Sequence, residues 1–170
     1  MAQPTTRLQN MSHEHVYETS VRWKGSTGDG YETYDRAHEI ALPPGQDRLD
    51  ASADQAFRGD PGRTNPEQLF LAAASSCQML SFLAIAARSG VDVLAYEDRA
   101  TAVMPEDRRP VWVTAITLRP RIVVAAGTNL DRVRRIVEKG HEECYIANSV
   151  RTEITIEPVI EVAETVTPPR

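Results

Sequence analysis

The chain predicts an α+β fold with a mostly antiparallel sheet, its elements running β-β-α-β-β-α-β. Three observations carry this. Runs rich in β-branched and aromatic residues alternate in polarity and are bounded by turn residues. Two longer segments instead place apolar residues three or four apart. The extended runs come in adjacent pairs, as hairpins do, rather than alternating singly with helices. At 170 residues, 41% hydrophobic and 25% charged, the chain has the bulk and composition of one globular domain. Residues 13–162 hold all the patterned segments. Residues 1–12 are polar and unpatterned and read as a disordered arm; 163–170, with two prolines, read as a flexible tail.

The first strand is His15 to Trp23, and Gly25-Ser26-Thr27-Gly28-Asp29-Gly30 is its turn. Tyr31 to Leu42 returns as the second strand, ended by Pro43-Pro44-Gly45. Residues 46–64 read as a loop or short irregular strand. The first helix opens at Asn65-Pro66-Glu67: Asn65 caps, Pro66 suits the first helical position, and Glu67 favours the positive end of the helix dipole. Leu69, Ala73, Cys77, Leu80 and Ala84 share one face, widened by Phe70, Ala74 and Ser81; this face is expected to point inward, and the helix to stop at Gly90. With small and apolar residues nearly all round, it reads as a central helix. Val91 to Met104 and Val111 to Val124 are strands joined by a charged loop at Pro105 to Pro110, with Pro120 expected at an edge or bulge. Thr128 or Asn129 caps a second helix through about Tyr145, with Val133, Ile136, Val137, Gly140 and Cys144 inward. Arg151 to Val162 is the last strand.

The net charge of −5 argues against a broad nucleic-acid footprint. Ser75, Ser76, Gln78 and Ser81 interrupt the apolar run from Leu69 to Ala87, which speaks against a membrane span. The N-terminus lacks the pattern of a secretory signal, so a cytoplasmic, reducing location is expected. Two cysteines, Cys77 and Cys144, stand 67 residues apart, which excludes a CxxC redox motif and a zinc ribbon. By spacing alone they are either small core residues or a reactive pair. His141 with Cys144 supplies too few ligands for zinc, so neither a metal nor a cofactor is expected. His141 lies one turn before Cys144 and either tunes that thiol or is structural, as His38 is expected to be. Asn148 and Ser149 read as a C-terminal cap and turn.

NPEQLFLAAASSC at 65–77 and HEECYIANSV at 141–150 resemble the signatures of the OsmC/Ohr family of thiol-dependent peroxidases. Its pattern is Asn-Pro-Glu, an apolar helix and a cysteine ten residues after the glutamate, the spacing of Glu67 and Cys77 here. Together with ASADQAFRGD and TYDRAHEI, the motifs resemble the OsmC-like branch. The resemblance covers about residues 15–160. It implies an OsmC-like fold: two mostly antiparallel β-sheets around two long central helices, in an intertwined homodimer.

The resemblance also implies a chemistry. Cys77 would attack an organic hydroperoxide as a thiolate, and Cys144 would trap the sulfenic acid as a disulfide. A free thiol titrates near ~8.5 and apolar burial raises it, so the attacking sulfur needs a cation. In the family an arginine held by the Asn-Pro-Glu glutamate serves; arginine stays charged when desolvated and offers a fork to thiolate and carboxylate together. Glu67 is the matching carboxylate. Arg58 in AFRGD is the first candidate arginine and Arg36 in TYDRAHEI the second. An external dithiol, lipoyl-bound or small, would reset the pair. The apolar neighbours Phe70, Met79, Leu80, Tyr145 and Ile146 favour an organic peroxide over hydrogen peroxide. Two other readings remain: a non-catalytic dimer of the same fold binding an apolar small ligand, and a structural dimer with inert core cysteines.

Overall fold

The computed structural model describes residues 14–45, 47–107 and 109–164. The expected arm over 1–12 and the tail beyond 164 lie outside these residues. The chain divides into two compact units, one up to Arg63 and one from Thr64 onward.

The first unit is a three-stranded antiparallel sheet in the order β1-β2-β3, with β1 at Ser20–Arg22, β2 at His38–Ala41 and β3 at Arg48–Ala51. The expected hairpin is present, with much shorter strands than the sequence suggests. Residues 31–34 form a turn instead of strand. There Arg36 gathers the chain: it donates to the carbonyls of Tyr34 (2.8 Å) and Tyr31 (2.6 Å) and stacks on both rings. Ile40, Ala51 and Ser52 are buried. A 3-10 turn at Gln55–Phe57 follows β3. Gly59 after it is obligatory, since a Cβ there would sit 1.6 Å from the Ala53 carbonyl oxygen.

The second unit holds two helices and two further three-stranded sheets. Helix α1 spans Pro66–Arg88. Asn65 and Gln68 close a reciprocal capping box at its start (2.8 and 3.0 Å). At its end Gly90 turns left-handed (φ 67°), Gly90 N–H donates to Ala87 O and Val91 N–H to Ala86 O, a Schellman stop. Helix α2 spans Leu130–Glu142, capped by Asn129. It ends before Cys144, shorter than the expected limit near Tyr145. Val133, Ile136, Val137 and Gly140 are buried as expected.

Each long strand expected in this unit is split. The run from Val91 becomes β4 (Val93–Asp98) and β5 (Thr101–Val103). The next becomes β6 (Ala115–Leu118) and β7 (Pro120–Val124), and the last β8 (Glu153–Ile156) and β9 (Val159–Val162). One sheet is ordered β4-β7-β9, the other β5-β6-β8, and in each the last pairing is parallel. Among the described residues there are therefore three sheets, two of them mixed, where two mostly antiparallel ones were expected. Pro120 is not at an edge: it opens the central strand β7, the one interior position where a missing N–H costs no ladder bond. The break is fastened by side chains. Asp98 accepts from the Arg119 amide (2.6 Å) and from Ser75 Oγ of α1 (2.5 Å). Arg119 reaches Thr101 Oγ1 (2.9 Å) and pairs with Glu157 (2.9 Å).

The face of α1 that packs inward shares only Ala74 with the expected one. Ala74, Gln78, Phe82 and Ala86 are buried, while Ala73 is exposed and Leu80 is 60% exposed. Phe82 and Ala86 join Ile122, Val124, Val133 and Val137 in the main core. Gly140 of α2 meets the backbone of α1, where a Cβ would lie 3.0 Å from Phe82 N. Beside that contact Gln78 Nε2 donates to Val137 O (3.1 Å). By length and composition alone α1 could cross a membrane, but it carries the core contacts of this unit.

Candidate active site

Two elements bring the cysteines together. Cys77 sits halfway along α1, half-buried, on the face turned away from the Phe82 core. Cys144 lies two residues past the end of α2 and is 1% exposed. The α1–α2 contact at Gly140 sets the two segments side by side. Both cysteines are free thiols.

Backbone amides face both sulfurs. The Ile146 N–H donates to Cys77 Sγ and the Ala147 N–H to Cys144 Sγ, each at 3.5 Å. Burial first, and then the hydrogen bond it shares with Cys77, push the Cys144 thiol up to about 11. Cys144 therefore holds its proton at neutral pH. Cys77, half-buried, is the sulfur a solute can reach.

Cys77 opens onto a cavity of about 430 Å³. Ala73, Leu80, Ala84 and Ile146 give it apolar walls, Ser76 and Ser81 supply hydroxyls, and Arg88, Glu143 and Tyr145 complete the lining. This is the stripe of α1 expected to face the core. It is the open wall of a cleft instead, so the apolar side chains that the sequence places around Cys77 are available to a ligand.

Glu67 lies in the first turn of α1, half-buried, and among the described residues of its own unit it has no ion-pair partner. Both candidate arginines belong to the first unit. Arg58 has a left-handed backbone (φ 65°) and pairs with Glu32. Arg36 is buried and committed to the Tyr31 and Tyr34 carbonyls. Of the residues expected at the site, the structure of the second unit thus unites Cys77 with Cys144. No group of three or more His, Cys, Asp or Glu side chains suited to a metal ion occurs among the described residues. His141 lines a separate cavity with Arg134, Glu138 and Glu142.

Sequence reasoning missed the two amides and what holds them. Asn148 Nδ2 donates to the carbonyls of Glu142 (2.8 Å) and Cys144 (3.0 Å), the cap role expected of it. The sulfur-facing amides carry no side-chain signature and could not be read from residue types.

Comparison with known proteins bears on the same segments. No match was found among curated proteins. Among solved structures, an OsmC-like protein of unknown function from Vibrio cholerae is similar at 32% identity and TM-score 0.77, covering 86% of this chain and all of that one. An organic hydroperoxide resistance protein OsmC from Legionella pneumophila is 21% identical (TM-score 0.62), the match covering 89% of this chain and 100% of that one. The organic hydroperoxide resistance protein OhrB of Bacillus subtilis is 18% identical (TM-score 0.56), covering 88% and 98%. At these last two identities the likeness concerns the fold. The family described as OsmC-like protein matches residues 59–159, a span that holds both cysteines, Glu67 and the helices that join them, and the chain belongs to the OsmC family.

Proposed function

We propose that the protein is a thiol-dependent peroxidase that reduces organic hydroperoxides to alcohols. The observation that carries this is the pairing of two distant thiols at an apolar cleft, one of them on its wall and the other buried behind it. Cys77 thiolate attacks the peroxide's terminal oxygen; the O–O bond breaks, the alkoxide takes a proton and leaves as alcohol, and the sulfur becomes a sulfenic acid. Cys144 then attacks that sulfur, gives up its proton, and water leaves as the Cys77–Cys144 disulfide forms. An external dithiol, lipoyl-bound or small, returns both sulfurs to thiols by exchange and is itself oxidised. The two family relatives named as hydroperoxide resistance proteins support the reading.

The cation that a thiolate at this position calls for is assigned to an arginine, with Arg58 the first candidate and Arg36 the second, and Glu67 is the candidate carboxylate. The working form is a homodimer in the cytoplasm: the open apolar face of α1, with Leu80 60% exposed, is more than a lone chain covers with its own sheet. The arginine comes from the same chain or from the second copy.

Stopped-flow thiol loss on mixing reduced protein with cumene hydroperoxide tests this. Wild type should lose two thiols per chain, Cys144→Ser should stop at a sulfenic acid, and Cys77→Ser should be inert, slower by more than about a thousandfold. Survival of the wild-type thiols in excess peroxide for minutes would end the peroxidase reading. The cleft's apolar walls would then favour the alternative, a non-catalytic dimer that binds an apolar small ligand.

A further inference from the structure

The chain reverses direction within a few residues after α2, and one side chain fastens the reversal. The last carbonyls of a helix lack partners within it. Here the Asn148 amide group takes two carbonyls at that end, Glu142 O at 2.8 Å and Cys144 O at 3.0 Å, while Asn148 N–H also donates to Cys144 O at 3.0 Å. Ser149 closes the next step, its Oγ donating to Tyr145 O (2.6 Å) and its N–H to Ile146 O (3.0 Å). With these carbonyls engaged, the turn presents two amides outward, and both meet sulfur: Ile146 N–H at Cys77 and Ala147 N–H at Cys144.

We propose that Asn148 is a positioning residue for the redox pair: by clamping the Glu142 and Cys144 carbonyls it holds the Ile146 amide on Cys77 Sγ and the Ala147 amide on Cys144 Sγ. The residue type follows from the task. Two donors on one short neutral group are needed, which only a primary amide supplies at this length. An aspartate would face both carbonyls with acceptors alone and set a negative charge beside the thiols. An N–H aimed at sulfur strengthens when that sulfur is an anion, because the hydrogen bond becomes charge-assisted. The thiolate fraction in turn sets the rate of nucleophilic attack. This role in turnover rests on the peroxidase reading; the geometry at the sulfurs does not.

The test uses the reduced full chain and reads two reactions. Alkylation of Cys77 by iodoacetamide, followed by mass spectrometry across pH, reports the sulfur without any peroxide. Asn148→Ala should slow it about tenfold at pH 7, the worth of one charge-assisted hydrogen bond, and displace the pH–rate curve toward alkali. Asn148→Asp should slow it further, and Asn148→Gln should recover part of the loss. A role confined to stability would lower the melting temperature and leave the curve in place, so an Asn148→Ala curve that overlays wild type in folded protein overturns the proposal. Should that variant not fold, wild-type protein still decides: the Ile146 amide resonance must move as pH is raised through ionisation of Cys77, and a resonance that stays fixed refutes the placement. Cumene hydroperoxide is the second reaction. An Asn148-dependent alkylation rate in a protein inert to peroxide would sink the peroxidase reading and leave the positioning role standing.

Discussion

Cys77 and Cys144 carry the same side chain, share a hydrogen bond and each accept a backbone N–H, yet they differ in access and burial. Cys77 is fixed mid-helix on a wall that opens to a cleft. Cys144 follows a helix end, is closed off from solvent, and keeps its proton up to about pH 11. The lesson is that access and burial, not the side chain itself, divide two thiols into one that a solute can reach and one that is closed off.

The largest effect that could break this comparison is selectivity toward an alkylating reagent. In wild-type protein at pH 7, iodoacetamide should label Cys77 first. Cys144 should lag an unperturbed thiol by about two orders of magnitude or more, since so little of it is ionised. Peptide mapping at early times reads this, and equal labelling of both sites would erase the distinction.

Next in size is the pH dependence of stability. The folded protein holds the Cys144 proton up to about pH 11, whereas the unfolded chain releases it near ~8.5. Below that lower value both states are protonated and the contribution is fully present. Between the two the unfolded state alone is ionised, so stability falls as pH rises, in total by about 3 kcal/mol once the folded value is reached. Urea melts from pH 8 to 10, below the range where the buried Tyr96 phenol contributes a fall of the same sign, should show the fall in wild type and not in Cys144→Ala. A slope that survives that substitution would place its cause elsewhere.

The smallest effect sharpens the geometry. Gly140→Val forces two methyl groups against the Phe82 backbone, where even a single Cβ would stand 3.0 Å from nitrogen. It should cost about 1–3 kcal/mol and slow disulfide closure in the remaining folded protein. Thermal melts and peroxide-driven loss of the second thiol measure the two parts separately. Closure at the wild-type rate would show that the helix spacing does not set the sulfur spacing.

Local signals were the most legible part of the fold. Asn65, Pro66, Gly90 and Asn129 mark helix ends through their own conformational preferences, and each sits where those preferences place it. The inward face of α2 was also readable, because its polar and apolar residues separate cleanly around the helix. Helix α1 offered no such contrast. Being apolar on nearly all sides, it let Leu69, Ala73 and Cys77 read as core, while the stripe that packs is Ala74, Gln78, Phe82 and Ala86. A buried glutamine cannot be expected from pattern, since only the Val137 carbonyl across the helix interface explains it. The split strands were hidden for a related reason. Asp98 and Arg119 end β4 and β6 through bonds to partners distant in sequence, and an alternating run gives no sign of them. At the site, the cysteines and Glu67 stood out by motif, whereas the amides of Ile146 and Ala147 belong to the backbone and could be found only in three dimensions.

The contact between Gly140 and Phe82 has a consequence for the economy of repeated cycling. Packed helices ordinarily stand 8–10 Å apart at their axes, with side chains as spacers, whereas bridged cysteines need Cα atoms about 4.4–6.8 Å apart. A residue with no side chain at the crossing lets α1 and α2 approach more closely than spacer side chains would allow. In the proposed peroxidase cycle, that closeness would leave little reorganisation for making and breaking a Cys77–Cys144 bond.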